Sequence, residues 1–333
     1  MAISASFNFQ GLSPDSIWDA LINIGFYPDS GLTELNSYEN RVFQFMDEHK
    51  QRYVVKFYRP QRWSYSQIKE EHEFVLALKE AQVSVAAPIE VKGETVHLSN
   101  EGFYFALFPS IGGRAYETDN LFQLEEVGRT LGRIHQIGRK KSYQYRPTLS
   151  VADYLVAPKL EFEQSDLVPT QLKSQFIDAI DKIIHEVSPK LSDSTWKKLR
   201  LHGDCHPGNI LWRDEVVMVD FDDSRMGSAI QDFWMLLSGS KQDQLIQLDT
   251  LLESYNEYQD FDVRELSLIE PLRAMRMVHY IAWVLKRWKD PAFPRTFVWF
   301  QEQDFWFKQL ALFKGQVEQL NEPPLQLTQC INF

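Results

Sequence analysis

Residues 202–222 read HGDCHPGNILWRDEVVMVDFD, and the strongest prediction of architecture and chemistry comes from this segment. Its second half contains an apolar strand signal, VVMV, that ends in two carboxylates, Asp220 and Asp222. The loop upstream contributes Asp204 and Asn209. Carboxylate and amide oxygens are the hard ligands that Mg²⁺ prefers, and this ion usually completes its shell with substrate phosphates. The stretch therefore predicts a divalent metal beside a phosphoryl group.

The spacing inside this stretch carries a resemblance. Asp204 precedes Asn209 by five residues, as in the catalytic loop of kinases, where the first residue orients or deprotonates a hydroxyl and the second holds metal. HGDCHPGNILW together with VDFDD resembles the catalytic signature of the aminoglycoside phosphotransferase and choline kinase-like superfamily, a branch of the protein-kinase fold. GRTLGRIH at 128–135 is similar to the helix that precedes the catalytic region there. Further segments resemble the bacterial stress-response serine/threonine kinases of that superfamily: LNSYENRVFQF (35–45), VVKFYRPQRW (54–63), IEPLRAMRM (269–277) and EPPLQLT (322–328).

The resemblance implies roles for three side chains of the signature. Asp204 is expected to be the catalytic base, and Asn209 and Asp220 are expected to be the Mg²⁺ ligands. Phosphoryl transfer depends mainly on positioning and on neutralising charge on the phosphate oxygens, so a lysine and metal-bound carboxylates supply most of what a protein must provide. ATP is therefore the expected substrate and Mg²⁺ the expected cofactor. Whether Asp222 binds a second metal stays open.

In the first hundred residues the resemblance points to the nucleotide. Lys56 lies on an apolar strand, VVKF, and matches the strand lysine that contacts the nucleotide phosphates. Its partner is expected to be a glutamate on the next helix. The segment EEHEFVLAL best aligns Glu71 with that role, while helical phase leaves Glu70 and Glu73 open. Ser37 falls where these kinases contact ATP, in a loop that reads NSYEN instead of G-x-G-x-x-G.

Hydrophobic periodicity changes along the chain. Up to Gly112 a helix is followed by runs with a period of two, and a helix with a 3.6-residue period begins at Ser66. Strands are expected at 32–35, 41–46, 53–58, 83–89, 94–98 and 103–109. Beyond Gly113 the pattern is helical apart from a strand-like, loop-rich stretch at 199–227. Helices are expected at 124–137, 151–155, 170–187, 228–237, 242–258, 267–288 and 304–320.

These patterns and the resemblance together predict an α+β fold, bilobal and protein-kinase-like, of the aminoglycoside phosphotransferase type. A small β-rich N-terminal lobe, residues 1–112, is expected to bind the nucleotide, with a hinge at 105–109 that meets the adenine. A larger helical lobe, residues 113–333, is expected to hold the catalytic and substrate residues. A cleft between two lobes is a natural place for a ligand.

Composition excludes several classes of protein. The chain has 35 Lys plus Arg and 46 Asp plus Glu, a formal net charge of −11. This charge disfavours a nucleic-acid partner, because proteins that bind nucleic acids usually carry a surplus of positive charge. Only two cysteines, Cys205 and Cys330, are present, so neither a disulfide framework nor a cysteine-rich zinc site is expected. The N-terminus lacks a signal-peptide pattern, and the most apolar stretch, 277–285, is far shorter than the roughly 20 residues of a spanning helix. We expect a cytoplasmic protein without a membrane partner, and the family implies a monomer.

Several residues in and near the signature have plainer interpretations. His202 is expected to pack beneath the loop and to hydrogen-bond with the backbone. A zinc site formed by His202 and His206 would need a helix, and the glycine and proline of this segment disfavour one. Cys205 is expected to be a buried, inert thiol. Asp232 is expected to anchor the catalytic loop through backbone amides. The arginines and tryptophans of 271–288 are explained by the interior of a helical lobe instead of by a membrane or nucleic-acid surface.

Three functions fit the sequence. The resemblance implies an ATP-dependent kinase that acts on serine or threonine in proteins, autophosphorylation included, with a role in stress survival. The second function keeps the chemistry but transfers phosphate to a small alcohol such as an aminoglycoside, choline or homoserine, and a cleft made acidic by the carboxylates of the signature would suit a cationic substrate. The third is a catalytically silent nucleotide-binding regulator, which the complete set of Lys56, Asp204, Asn209 and Asp220 disfavours. The segment after Asp220 is short, so no long phosphorylated activation loop is expected.

Overall fold

A five-stranded antiparallel sheet forms the centre of the small lobe in the computed structural model, which describes residues 8–192 and 195–327. The strands pair in the order β1-β2-β3-β5-β4, and their bounds are β1 Thr33–Glu34, β2 Arg41–Met46, β3 Arg52–Phe57, β4 His97–Leu98 and β5 Tyr104–Pro109. Successive side chains of a strand point to opposite faces. Val55 and Phe57 enter one apolar core. Lys56 between them therefore faces the other side of the sheet.

Two helices cover the two faces of this sheet. Helix α1, Pro14–Ile24, places Leu21 in the same apolar core as the strands. Helix α2, Tyr65–Glu80, covers the opposite face, where Ile68 packs with Ala106 of β5. Both helices begin with a capping box, in which a serine exchanges hydrogen bonds with the residue three positions on. Caps and periodicity in the sequence therefore suffice to predict both helices.

The connection from α2 to β5 differs from the prediction. The expected strand at 83–89 is wrong, and the one at 94–98 is shortened to β4. Part of the backbone here bonds to the large lobe, because Ala86 N–H donates to the Met218 carbonyl at 3.0 Å and Met218 N–H donates to the Ser84 carbonyl at 3.0 Å. At the end of the segment, Ile89 N–H donates to the Leu107 carbonyl of β5 at 2.8 Å. This segment therefore links the two lobes beside the cleft.

The large lobe is mostly helical, and the bilobal α+β prediction is confirmed. Its α-helices are α3 Leu121–Gly138, α4 Ala157–Gln164, α5 Thr170–Leu191, α6 Lys241–Tyr255, α7 Ile269–Arg287, α8 Ala292–Thr296 and α9 Gln303–Gln319. Helix α3 packs on α6, α5 on α9, and α4 on α7. The close approach of α3 and α6 depends on Gly128, where an added Cβ would lie 2.1 Å from the Ser254 hydroxyl and 2.5 Å from the Leu251 carbonyl. A larger residue there would push the two helices apart.

The expected helix at 228–237 is instead a pair of 3₁₀ turns, Ala229–Asp232 and Trp234–Leu236. Its apolar side chains are buried on all sides and not on one face only. Their spacing therefore resembles that of a helix although none is present. Part of its backbone is held by a carboxylate, since Glu265 accepts the amide hydrogen of Ile230 at 2.9 Å. These turns follow the signature directly, so the short connection predicted in place of an activation loop is present.

Short strands carry the signature. Their bounds are β6 Arg114–Ala115, β7 Leu199–Arg200, β8 Ile210–Arg213, β9 Glu215–Met218 and β10 Met226–Gly227. Strands β8 and β9 form a hairpin to which β6 adds, and β7 pairs with β10. Beyond the last strand pair, the Val219 amide donates to the Asn209 carbonyl at 3.0 Å. Asn209 and Asp220 therefore leave the hairpin at the same end.

Two remaining predictions concern cysteines and membranes. Cys205 is fully buried, as predicted, and burial raises the pKa of its thiol well above the ordinary value, which disfavours the reactive thiolate. Cys330 lies outside the described residues. Within residues 8–192 and 195–327, no helix has the length and apolar character needed to cross a membrane.

Candidate active site

A buried carboxylate fixes the loop that opens the signature. Asp232 accepts the amide hydrogens of His202 at 2.8 Å and Gly203 at 2.9 Å, and its carboxylate also lies 3.0 Å from Nε2 of His135. The His202 ring contacts the Val219 carbonyl through Nε2 at 2.9 Å and is itself fully buried. Both predictions, the anchoring role of Asp232 and the packing role of His202, are confirmed.

Asp204 follows this anchored loop, and an arginine and a histidine flank its carboxylate. Arg276 of α7 donates from Nη1 to Oδ1 of Asp204 at 2.5 Å, and Nε2 of His206 lies 3.5 Å from Oδ2. Burial raises the pKa of Asp204, but the hydrogen bond from His206 and the charge of Arg276 outweigh burial, so this pKa lies below its ordinary value. The carboxylate is therefore ionised near neutral pH, as a general base must be. The Arg276 contact was not predicted, because 72 residues separate the pair and no local pattern joins them.

Lys56 crosses the cleft to the carboxylates at the end of β9. Its Nζ lies 2.8 Å from Oδ1 of Asp220 and 3.3 Å from Oδ1 of Asp222. Burial alone would lower the pKa of Lys56, but these two carboxylates outweigh burial and raise it, so the amine stays charged. Asp220 adopts the left-handed region at φ 61°, and its side chain is 51% exposed in the cleft. The structure thus brings together the lysine of the small lobe and the acidic residues of the large one.

The glutamate expected to pair with Lys56 has another partner. Glu71 is buried and lies 3.2 Å from Nη2 of Arg146, whereas Lys56 pairs with the two aspartates. Glu70 accepts backbone amide hydrogens of 144–146, and Glu73 lies beside a surface lysine, so neither replaces it. Arg146 lies in a loop without any local motif, which is why the sequence did not suggest it. Glu71 nevertheless lines the same cavity as Lys56, and its charge helps to raise the pKa of Lys56.

The loop at 36–40, which contains Ser37, is tied to the large lobe. Glu39 receives hydrogen bonds from Arg287 and Trp283, both on α7. Asn40 donates to Oδ2 of Asp222 at 3.2 Å. Side chains therefore hold this loop over the cleft, where a glycine-rich loop would rely on backbone alone.

Two cavities meet at these side chains. The inner cavity, of about 290 Å³, lies between the small-lobe sheet and the β8–β9 hairpin. Its apolar lining residues are Leu35, Val42, Val54, Ala86, Phe108, Pro109, Ile111, Leu211, Val219 and Phe221. The outer cavity, of about 660 Å³, lies between the loop at 36–40 and α7, and its lining is charged and aromatic. The residues that line both cavities are Asn36, Ser37, Gly208, Asn209 and Asp220.

Arginines neutralise the acidic residues of the outer cavity. Arg62 pairs with both Asp222 and Asp223, and Arg225 lies 2.6 Å from Asp223. Burial would raise the pKa of both carboxyls, but the charge of Arg62 outweighs burial. The pKa of Asp222 falls to about 2, and that of Asp223 lies well below its ordinary value. Asp220 pairs with Lys56, and Asp204 pairs with Arg276. Each carboxylate of the signature therefore has a cationic partner, so the prediction of an acidic cleft is wrong.

The oxygen atoms at the end of the β8–β9 hairpin suit a magnesium ion. Asn209 donates from Nδ2 to the Asp204 carbonyl at 3.0 Å, which commits its amide nitrogen to the protein and leaves its amide oxygen as the possible ligand. Asp220 is half exposed beside it. Oδ1 of Asp222 is buried without a hydrogen-bond partner, although Lys56 is near. Carboxylate and amide oxygens of this kind fit a small hard cation, which takes its remaining ligands from phosphates and water.

Comparison with known proteins agrees with this geometry. The family model for the phosphotransferase enzyme family matches residues 31–269. Stress response kinase A of Escherichia coli (strain K12) is 54% identical over 325 residues, covering 98% of this chain and 98% of that protein. Serine/threonine protein kinase RdoA of Salmonella typhimurium is 52% identical over 323 residues, covering 97% of this chain and 98% of the relative.

Solved structures share the fold. Amicoumacin kinase hAmiN, in complex with AMP-PNP, Ca²⁺ and Ami, has a TM-score of 0.71 at 19% identity, covering 90% of this chain and 92% of that one. The microcompartment-associated aminopropanol kinase has a TM-score of 0.70 at 16% identity, covering 94% and 100%. By its family match and its close relatives, this chain is a kinase that belongs to the phosphotransferase enzyme family.

Proposed function

We propose that the chain is an ATP-dependent serine/threonine protein kinase with Asp204 as its catalytic base. The observation that carries this proposal is the contact of Lys56 with Asp220, at the junction of the inner and outer cavities. The name of the relative at 52% identity supports a protein acceptor, and the name of the relative at 54% identity supports a role in stress response. We further propose a cytoplasmic monomer without a nucleic-acid or membrane partner.

The inner cavity is the proposed nucleotide site. Its apolar walls suit a purine base, and two residues of the expected hinge at 105–109, Phe108 and Pro109, line it. The charged amine of Lys56 stands where the inner cavity opens into the outer one, so it can neutralise negative charge on the nucleotide phosphates. Ser37 lines both cavities at this junction, which supports its expected contact with ATP.

Phosphoryl transfer is proposed at the junction itself. Asn209 and Asp220 are the residues that would hold Mg²⁺, which when bound neutralises charge on the phosphate oxygens. Asp204 faces the outer cavity, where it orients the acceptor hydroxyl and takes its proton as the oxygen bonds to the γ-phosphorus and the bond to ADP breaks. Hydrogen bonds from the backbone amides of the anchored loop to Asp232 hold this base in place. Positioning of this kind contributes strongly to the rate of phosphoryl transfer.

A small alcohol is the second candidate acceptor. The observation that favours it is the volume of the outer cavity, about 660 Å³, which lies within the usual range for small-molecule sites. The loop at 36–40 is tied to α7 across this cavity, so a protein acceptor must present its hydroxyl on a narrow, extended segment.

Radiolabel transfer tests the proposal. The purified full chain is incubated with γ-labelled ATP and Mg²⁺, alone, with a generic protein substrate, and with choline, homoserine or an aminoglycoside. Label in protein that is lost in Asp204→Ala supports the protein kinase. Transfer confined to the small alcohols would replace that assignment with the second candidate. Nucleotide binding without transfer to any acceptor would contradict both.

A further inference from the structure

Arg276 differs from the other arginines that line the outer cavity. Those three, Arg62, Arg225 and Arg287, have side chains that are at most 14% exposed, and each pairs with a carboxylate other than the proposed base. The Arg276 side chain is 42% exposed. Among residues 8–192 and 195–327, the one acidic side chain that pairs with it is Asp204. The most accessible cation of the cavity is therefore held by the carboxylate that the reaction needs.

This contact competes with the acceptor. Oδ1 of Asp204 receives a hydrogen bond from Arg276, and Oδ2 lies 3.5 Å from Nε2 of His206, so the guanidinium occupies one of the positions from which a hydroxyl could donate to the base. A guanidinium at this distance also makes the carboxylate a weaker proton acceptor. Because the Arg276 side chain is partly exposed, it can turn away at small cost when another anion takes the place of Asp204.

The surroundings of Arg276 indicate what that anion is attached to. Arg276, Tyr280 and Trp283 follow one another at helical spacing along the face of α7 that lines the outer cavity. The two aromatic rings are stacked, with centroids 5.9 Å apart and planes 21° apart. Asp153, also part of the lining, is exposed and accepts a hydrogen bond from Ser150, and Glu39, which contacts this wall, pairs with Arg287 instead of with Arg276. This wall therefore offers the partly exposed guanidinium of Arg276 beside a flat aromatic surface.

We propose that Arg276 is a specificity-determining residue that selects acceptors with an anionic group close to the reacting hydroxyl. On binding, that group takes the guanidinium from Asp204 and opens the base to the hydroxyl. The inference rests on the proposed transfer at Asp204. In an extended peptide the residue rise is about 3.3 Å, so the anion belongs one or two positions from the acceptor residue. Its chemistry is that of a carboxylate or a phosphate, since both accept bidentate hydrogen bonds from arginine.

The test compares acceptor peptides that differ in one charge. The purified full chain with Mg²⁺ and ATP is given serine peptides in which the positions one and two residues away carry glutamate, phosphoserine, glutamine or lysine. For the wild type we expect kcat/KM to be about tenfold higher for the better anionic peptide than for its glutamine counterpart, as one favourable charge-assisted contact provides. The glutamate and phosphoserine series distinguish a carboxylate from a phosphate. Arg276→Gln should reduce this preference to below about twofold, and Arg276→Lys should restore part of it.

Arg273→Gln is the matched control. Arg273 lies on the same helix, is 30% exposed and pairs with Glu270 instead of facing the cavity, so its loss should leave the preference intact. A purely structural role of Arg276 would lower activity on every peptide alike and would lower the melting temperature. A wild type without a preference for the anionic peptides, or an Arg276→Gln variant that keeps that preference, would overturn the inference.

Small alcohols separate this inference from the proposed function. If no peptide is labelled but small alcohols are, the protein-kinase assignment fails and the inference is judged on homoserine against 3-aminopropan-1-ol, which differ by one carboxylate. Preference for homoserine that disappears in Arg276→Gln supports a role of Arg276 in anion selection. Equal use of the two alcohols overturns it. Absence of transfer to every acceptor would overturn both the function and the inference.

Discussion

The inner and outer cavities share Asn209 and Asp220 but are built in different ways. The inner cavity is enclosed by apolar side chains of the sheet and the β8–β9 hairpin, and its one cation, among the described lining residues, is a lysine on a strand. The outer cavity is shaped by ion pairs between distant segments, such as Arg62 with Asp223, which are 161 residues apart. Both cavities form where the two lobes meet. The residues that line the inner cavity lie mostly on strands with local sequence signals, whereas the ion pairs of the outer cavity join segments that no local pattern connects.

The largest effect is expected on the outer side. Asp204→Asn keeps the shape of the proposed base but removes its charge, so phosphoryl transfer should fall by about 10²–10⁴-fold. Affinity for ATP, measured by calorimetry, should stay unchanged because the residue does not line the inner cavity. Asp249→Asn, on the exposed face of α6, serves as the control with normal turnover. A variant that loses ATP binding instead would contradict the division between the two cavities.

A slightly smaller loss is expected on the inner side. Lys56→Met removes the cation at the phosphates, so kcat/KM for ATP should fall by about 10²–10³-fold, the usual result of deleting an electrostatic stabiliser. The KM for the acceptor should change little. Lys69→Met removes an exposed lysine of α2 that pairs with Glu94, and it should behave like wild type. Equal ATP kinetics in the Lys56 and Lys69 variants would refute the nucleotide role of Lys56.

A double-mutant cycle sharpens the position of Glu71. Urea unfolding of Glu71→Gln, Arg146→Met and their combination should give a coupling energy of about 2–3 kcal/mol, because a buried ion pair is broken. The cycle of Glu71→Gln with Lys56→Met should give less, since the two aspartates contact this lysine. A larger coupling energy for Glu71 with Lys56 than for Glu71 with Arg146 would support the pairing of Lys56 with Glu71 that the resemblance implies.

The smallest expected effect is on the pH dependence of stability, and it comes from Glu265. Burial raises the pKa of Glu265, which holds the turn that carries Asp232, from an ordinary value near 4.5 to about 7. Below pH 4.5 the group is protonated in both states, whereas between 4.5 and 7 only the folded state retains the proton. Its contribution to the free energy of unfolding should therefore decline as the pH rises, by up to about 2 kcal/mol between pH 5 and 7. Glu265→Gln, neutral at every pH, should flatten that part of the profile in thermal unfolding, and an unchanged slope would contradict this assignment.

Much of the fold was predictable because its signals are local. Helix α2 has a cap and a 3.6-residue period, and β3 has a period of two that separates Lys56 from its apolar neighbours. The segment at 83–89 was misassigned because its apolar residues resemble a strand, while its hydrogen bonds are divided between the large lobe and β5 instead of forming a continuous ladder. The segment at 228–237 was misassigned because it is buried on all sides. A fully buried segment has no polar face, so its sequence pattern does not distinguish 3₁₀ turns from an α-helix.

Local sequence motifs were enough to predict the residues that we propose as the catalytic base and the metal ligands. Asp204, Asn209 and Asp220 are close along the chain, and a hairpin of adjacent strands is enough to bring their ends together. The pairing of the charges, in contrast, follows from contacts that form only in the folded protein. Arg276 reaches Asp204 and Arg146 reaches Glu71 across gaps of 72 and 75 residues. The energy of an ion pair depends on the distance between the charges and on the exclusion of water, and both are set when the lobes pack together.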